Sequence, residues 1–119
     1  MAETESRLTV TDDGEIARIQ FLDRNILDEA NIQQIGEEIA QIIDRAPTPK
    51  ILIDFENVEH LSSAALGTLI TINNKVRLKG GQLRLANIDS QIYEVFVITK
   101  LNKLFKIYDN AEEAGTSFT

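Results

Sequence analysis

From Asp54 to Ser63 run six side chains able to carry chemistry: Asp54, Glu56, Glu59, His60, Ser62 and Ser63. They follow the short apolar run Ile51-Leu52-Ile53 and precede a segment with helical periodicity. The two serines therefore fall where a strand-to-helix loop becomes a helix N-terminus. Unpaired backbone N–H groups and the helix dipole favour negative charge there. A hydroxyl in that position can cap the helix, accept a phosphate or act as a nucleophile.

The nucleophile reading pairs Ser63 with His60 and either Asp54 or Glu59. The chain has no Gly-x-Ser-x-Gly elbow, and His60 stands too close to Ser63 along the chain for triad geometry. Nucleotide chemistry lacks its loops: neither a Gly-x-x-x-x-Gly-Lys-[Ser/Thr] run nor a Gly-x-Gly-x-x-Gly follows a strand. A phospho-aspartate receiver needs an acidic cluster after an early parallel strand, whereas Asp12-Asp13 sits in a hairpin turn. With no cysteine and one histidine, neither disulfides nor a multi-histidine metal site within one subunit can form. No catalytic residue, metal or cofactor is expected.

Capping and phosphate acceptance remain. A capping hydroxyl explains one serine better than two. A phosphoserine brings roughly −1.5 to −2 charges and three strong acceptor oxygens, which a helix N-terminus tolerates or favours. Phosphorylation there should change what docks on the loop without unfolding the domain. Glu56, Asn57, Glu59 and His60 are the expected rim of such a docking surface, beside Ser62 and Ser63.

At 119 residues the chain suffices for one core and is short for two. Hydrophobic and charged fractions of 43% and 26% are those of a folded globular protein. A net charge of −7 argues against nucleic-acid binding and against docking on anionic membrane. No apolar stretch approaches the ~20 residues of a transmembrane helix, and the acidic start Met1-Ala2-Glu3-Thr4-Glu5 is no signal peptide. A cytoplasmic protein is the simplest reading.

Leu8 and Val10, then Ala17, Ile19 and Phe21, alternate with polar residues around Asp13-Gly14 and read as a hairpin. Asp28 is the expected cap of a first helix, with Leu27 and Ile32 as a hydrophobic staple. That helix should bury Ile32, Ile35, Ile39, Ile42 and Ile43 and end before Pro47 and Pro49. Residues 50–55 read as a strand buried on both faces. The helix opened by Ser62/Ser63 should bury Leu66, Leu69, Ile70 and Val76 and stop at Gly80-Gly81, with Lys75, Arg77 and Lys79 complementing its C-terminal dipole. Next come a strand over 82–86 and a helix from Asp89 or Ser90 burying Ile92, Val95 and Phe96. A last strand over 104–108 and a final helix, capped near Asn110 and cut short by Gly115, complete the pattern.

The order β-β-α-β-α-β-α-β-α describes one α/β domain. Its sheet should be mixed and mostly parallel, with an antiparallel N-terminal strand and helices packed against it. The ends before about Arg7 and after Gly115 should fray.

From Lys50 to Ala114 the chain resembles the STAS family, named for sulfate transporters and anti-sigma-factor antagonists, and in particular its small stand-alone bacterial members. Residues 51–67 (ILIDFENVEHLSSAALG) are similar to the family's apolar strand, Asp-Leu-Ser-x-Val and Asp-Ser-[Ser/Ala]-Gly-Leu. Residues 95–109 (VFVITKLNKLFKIYD) resemble its apolar helix end, Thr-Gly-Leu turn, Phe-rich last strand and acidic helix start. The chain differs at Glu56 (usually serine), Ser62 (usually aspartate), Ala65 and Lys100 (both usually glycine).

The resemblance implies a STAS-like domain over 7–114, between a disordered N-terminus (1–6) and a short tail (115–119). It implies an anti-sigma-factor antagonist acting by partner switching. The unphosphorylated form binds an anti-sigma factor that is also a serine kinase of GHKL type, which releases a sigma factor. Phosphorylation of the loop serine reverses this, and a PP2C-like phosphatase resets it. Ser63 matches the acceptor, with Ser62 the alternative, and Gly67 matches a helix glycine that permits close packing. The other role that the resemblance allows is a constitutive interaction module, as in stressosome-like scaffolds or the accessory subunit of a lipid-transport complex. Oligomeric state is left open.

Overall fold

The alternation at the N-terminus does form a hairpin. In the computed structural model, β1 (Leu8–Asp13) pairs antiparallel with β2 (Ile16–Phe21), from Leu8 opposite Phe21 to Asp13 opposite Ile16. The structure describes residues 8–26 and 29–118. The expected Asp28 cap, the Leu27 staple and the first residues of the chain lie outside those residues. After β2 come a two-residue strand, β3 (Asn25–Ile26), and the helix α1 (Glu29–Arg45). Ile32, Ile35, Ile39 and Ile43 of α1 are buried, while Ile42, at the margin of that face, is half-buried.

The remaining elements alternate. They are β4 (Lys50–Asp54), a two-residue β5 (His60–Leu61), α2 (Ser63–Leu78), β6 (Gln82–Ala86), α3 (Ser90–Ile98), α4 (Leu101–Leu104), β7 (Lys106–Tyr108) and α5 (Ala111–Thr116). The main sheet has the order β1-β2-β4-β6-β7, parallel throughout except for the β1–β2 pair. This is the mixed, mostly parallel sheet that the pattern implies. A second parallel ladder joins β3 to β5.

Strand periodicity separates two layers. Ile19, Phe21, Ile51, Ile53, Phe55, Leu83 and Leu85 face one side, where α1, α2 and α3 close the principal core. Phe21 and Phe55 meet there at 5.2 Å between ring centroids, and Phe96 meets Phe105 edge-on at 5.9 Å. Leu52 and Ala86 face the other side, under Ala114 of α5. The consecutive apolar run of β4 thus comes from burial on both faces.

Several expectations need correction. Residues 101–104 form the helical turn α4, so the last strand begins at Lys106 and Leu104 is exposed. Val95 points outward, because only Ile92 and Phe96 of α3 reach the core. In α2 the sequence pattern missed Ile72 and Asn73, both buried, whereas Ile70 is half-buried. Lys79 does complement a helix terminus, but that of α1: its Nζ donates to the carbonyls of Ile43 (2.9 Å) and Asp44 (3.0 Å). The final helix continues through Gly115 to Thr116. Gly80 turns the chain out of α2 at φ +69°, and Gly81 passes so close to Pro49 that a Cβ would collide with its carbonyl oxygen.

Candidate functional site

Asp54 ends β4 with its carboxylate buried and every direction of approach occupied. Its Oδ2 accepts from Arg18 Nη2 (2.9 Å) and Gln20 Nε2 (3.1 Å) on β2. Its Oδ1 accepts from Asn87 Nδ2 (2.9 Å), just past β6, and from the Glu56 backbone N–H (3.0 Å). Asn87 adopts φ 57°, a left-handed conformation that asparagine tolerates. Burial alone would push the Asp54 carboxyl up. The hydrogen bonds from Asn87, Arg18, Glu56 and Gln20 outweigh it and hold the group below the ordinary carboxylate value. Asp54 therefore locks the base of the loop that follows and has no capacity left to orient a histidine.

That loop is fastened at three further points. Val58 is buried, and its N–H returns to the Phe55 carbonyl. Glu59 and His60 both donate their backbone N–H to the Arg24 carbonyl, at 2.7 and 3.1 Å. The Ser62 N–H reaches the Ile26 carbonyl at 3.1 Å. The Arg24–Glu59 ion pair, 3.6 Å and exposed at both ends, adds little. Glu56, Asn57, Glu59 and His60 are consequently held on the surface with their side chains in solvent. The anchor on Arg24–Ile26 escaped sequence reading, since two-residue strands leave no periodic signal.

The two serines have different jobs in the structure. Ser62 is the helix N-cap, at φ −81° and ψ 166°, and its Oγ accepts from the Ala65 N–H at 3.2 Å. It is half-buried. Ser63 is the first residue of α2 and is exposed, and its hydroxyl makes no hydrogen bond among the described residues. The first turn of α2 carries no acidic side chain, so the positive end of its dipole is not offset. Ala65 and Leu66, one turn in, are buried and seat the helix.

Among the described residues, no hydrogen bond joins His60 to Ser63 or to Asp54, so the triad is not assembled. No group of three or more metal-ligating side chains occurs among them either. Four clefts among the described residues are lined by residues other than Glu56–His60 and Ser62–Ala64.

Gly67 requires a correction. The family resemblance implies close packing there, yet Gly67 is exposed and a Cβ would meet nothing within 4 Å. The close approach between α1 and α2 occurs at Gly36, where a Cβ would stand 3.0 Å from Thr68 Cγ2.

Comparison with known proteins adds the following. The family model described as "STAS domain" matches residues 19–114. BtrV of Bordetella bronchiseptica is 24% identical over 80% of this chain and 81% of its own length. The anti-sigma F factor antagonist of Paenibacillus polymyxa is 22% identical over 76% of this chain and 77% of its own. Among solved structures, an anti-sigma-factor antagonist (STAS) domain protein from Planctomyces limnophilus superposes with a TM-score of 0.82, at 24% identity, over 90% of this chain and 93% of that one. The Bacillus cell fate determinant SpoIIAA in its phosphorylated form gives 0.70 at 20% identity, over 92% and 96%.

Proposed function

The chain belongs to the STAS domain family, and on that premise we propose that it is an anti-sigma-factor antagonist working by partner switching, with Ser63 as its phosphate acceptor. The unmodified surface of Ser63, together with Ser62 and the exposed loop residues Glu56, Asn57, Glu59 and His60, docks on an anti-sigma factor that is also a serine kinase of GHKL type. The sigma factor is thereby freed. Phosphorylation of Ser63 adds bulk and charge at the centre of the contact and breaks it, and a PP2C-like phosphatase restores it. The role is that of a binding module rather than an enzyme, in a cytoplasmic setting. Among the described residues no helix is long and apolar enough to cross a membrane.

One observation carries the choice of acceptor. The Ser62 hydroxyl is engaged as the cap, whereas that of Ser63 is exposed and unbonded at a helix N-terminus with no carboxylate of its own. A phosphate on Ser62 would disturb the cap; one on Ser63 meets a favourable dipole. Two relatives support the reading: one is named an anti-sigma F factor antagonist, and a structural neighbour is described in a phosphorylated form.

The test is to incubate the protein with its cognate anti-sigma kinase and ATP and to map phosphate by mass spectrometry. Label is expected on Ser63, lost in Ser63→Ala and kept in Ser62→Ala. Absence of phosphate from both serines defeats the switch. The second reading, a constitutive STAS interaction module, is favoured by Ser62 standing where the family has an acidic residue. It gains if the partner binds Ser63→Asp as tightly as the wild type.

A further inference from the structure

We propose that the cleft at the opposite end of α2 from Ser63 binds a phosphate-bearing small molecule. The cleft, about 580 Å³, is lined by Asn73 and Arg77 of α2, Gln82 and Arg84 of β6, and Lys106 and Tyr108 of β7, among others. It opens where β7, which begins only opposite Arg84, leaves Gln82 and Leu83 of β6 paired with β4 alone and open on the other edge.

Arg84 is the feature that points to an anion. It is only 7% exposed, and its guanidinium is bonded to neutral oxygens alone. Nε donates to Ser117 Oγ (2.9 Å), Nη1 to the Leu83 carbonyl (3.1 Å) and Nη2 to Gln82 Oε1 (2.9 Å), with the Phe118 ring 5.0 Å away. Among the described residues no carboxylate lies within ion-pair distance of it. Buried cations are ordinarily paired, because an uncompensated charge in a low-dielectric site is costly. Arg77 and Lys106 stand exposed in the same cleft with no hydrogen bond or ion pair among the described residues. Asn73, also 7% exposed, has a buried Nδ2 without a partner among the described residues.

Charge distribution agrees. Three cations, Arg77, Arg84 and Lys106, line the cleft with no acidic side chain among its lining residues, in a chain of net −7. The concave shape and the overall negative charge favour a small anion over a nucleic acid. Guanidinium groups match phosphate oxygens in geometry as well as charge. The cleft exceeds a bare phosphate in size, and the Tyr108 ring offers a surface for the organic part of the ligand.

The proposal is tested by NMR titration of the full chain with inorganic phosphate, pyrophosphate and adenosine monophosphate, against sodium chloride of matched ionic strength. Phosphatidylglycerol vesicles serve as the arm that separates a lipid headgroup from a free phosphate compound. Saturable shifts are expected at Asn73, Arg77, Gln82–Arg84 and Lys106. The double substitution Arg77→Ala with Lys106→Ala should weaken binding by about tenfold or more while leaving the unfolding midpoint unchanged. Arg77→Glu alone, on an exposed helix position, is the second variant and should weaken it likewise. The proposal is overturned if no probe binds saturably at millimolar concentration or if shifts spread over all the lysines and arginines. It is equally overturned if the variants bind as the wild type does, or if vesicles alone bind.

Discussion

Adjacent serines with different roles should respond oppositely to substitution, and Ser63→Asp is the sharper probe. Its carboxylate would enter the first turn of α2, which now holds no acidic side chain, beside backbone N–H groups that the helix leaves unpaired. Interaction with the helix dipole should stabilise the fold by about 0.3–1 kcal/mol. At about 4 °C per kcal/mol for a domain of this size, the unfolding midpoint should rise by roughly 1–4 °C. Ser62→Ala instead removes the acceptor that bonds the Ala65 N–H at 3.2 Å and should cost ~1 kcal/mol, lowering the midpoint by about 4 °C. Binding should reverse the order. Ser63→Asp places charge in the proposed contact and weakens association with the anti-sigma partner, while Ser62→Ala leaves it largely intact. Differential scanning calorimetry and a pull-down on the same preparations read both quantities. If Ser63→Asp lowered the midpoint as much as Ser62→Ala, the division between a structural cap and a free hydroxyl would be wrong.

Asp54→Asn keeps the shape of the Asp54 side chain but turns an acceptor oxygen into a donor facing other donors, and should destabilise by about 3 kcal/mol in urea unfolding. Because folding lowers the Asp54 pKa from 3.8, its stabilising contribution is complete above that value and disappears as pH falls through the folded-state pKa. An acid titration of stability should therefore show a downturn below about pH 4 that Asp54→Asn lacks. Gly81→Ala should cost about 2 kcal/mol or more in the same unfolding assay, since its Cβ would collide with the Pro49 carbonyl. Lys100 occupies a left-handed conformation, φ 64°, at the position where the family pattern has glycine. Lys100→Gly should thus stabilise by about 1 kcal/mol, read as a rise in the calorimetric midpoint.

The elements with a long hydrophobic period were legible in the sequence, and the short ones were not. Ile32, Ile35, Ile39 and Ile43 announce α1 because each returns to the same face every three or four residues, and Gly80-Gly81 announces the end of α2 by what only glycine can do there. The turn α4 has four residues and no buried member, so nothing in 101–104 distinguishes it from the start of a strand. The exposed valine at position 95 misled because α3 is apolar nearly all round, and only its neighbours decide which residues are covered. At the site, the spacing fixed Ser62 and Ser63 at a helix start but could not say which one caps. That depends on a backbone torsion at Ser62 and on the direction of a single hydroxyl. The partners of Asp54 were out of reach for another reason: Arg18 and Asn87 are more than thirty residues from it and converge only through the parallel ladder.

The two ends of α2 carry separate proposed sites, and the helix between them keeps them apart. Sixteen residues at ~1.5 Å each span about 24 Å, well beyond the ~8 Å over which charges interact through physiological salt. Leu69, Ile72 and Val76 lie buried along the intervening turns, and α1 closes over them through the tight contact at Gly36. A side chain or phosphate added at Ser63 therefore has neither a field nor a loose joint through which to act on Arg77. The anchoring of the loop gives the same result from the other direction. Asp54, Val58 and the Arg24 carbonyl hold residues 54–60 through contacts within the domain, so the proposed recognition at Ser63 would read what this anchored surface displays. The proposed switch would change the chemistry of one exposed atom and leave the fold unchanged, a part that suits Ser63 better than its capping neighbour Ser62.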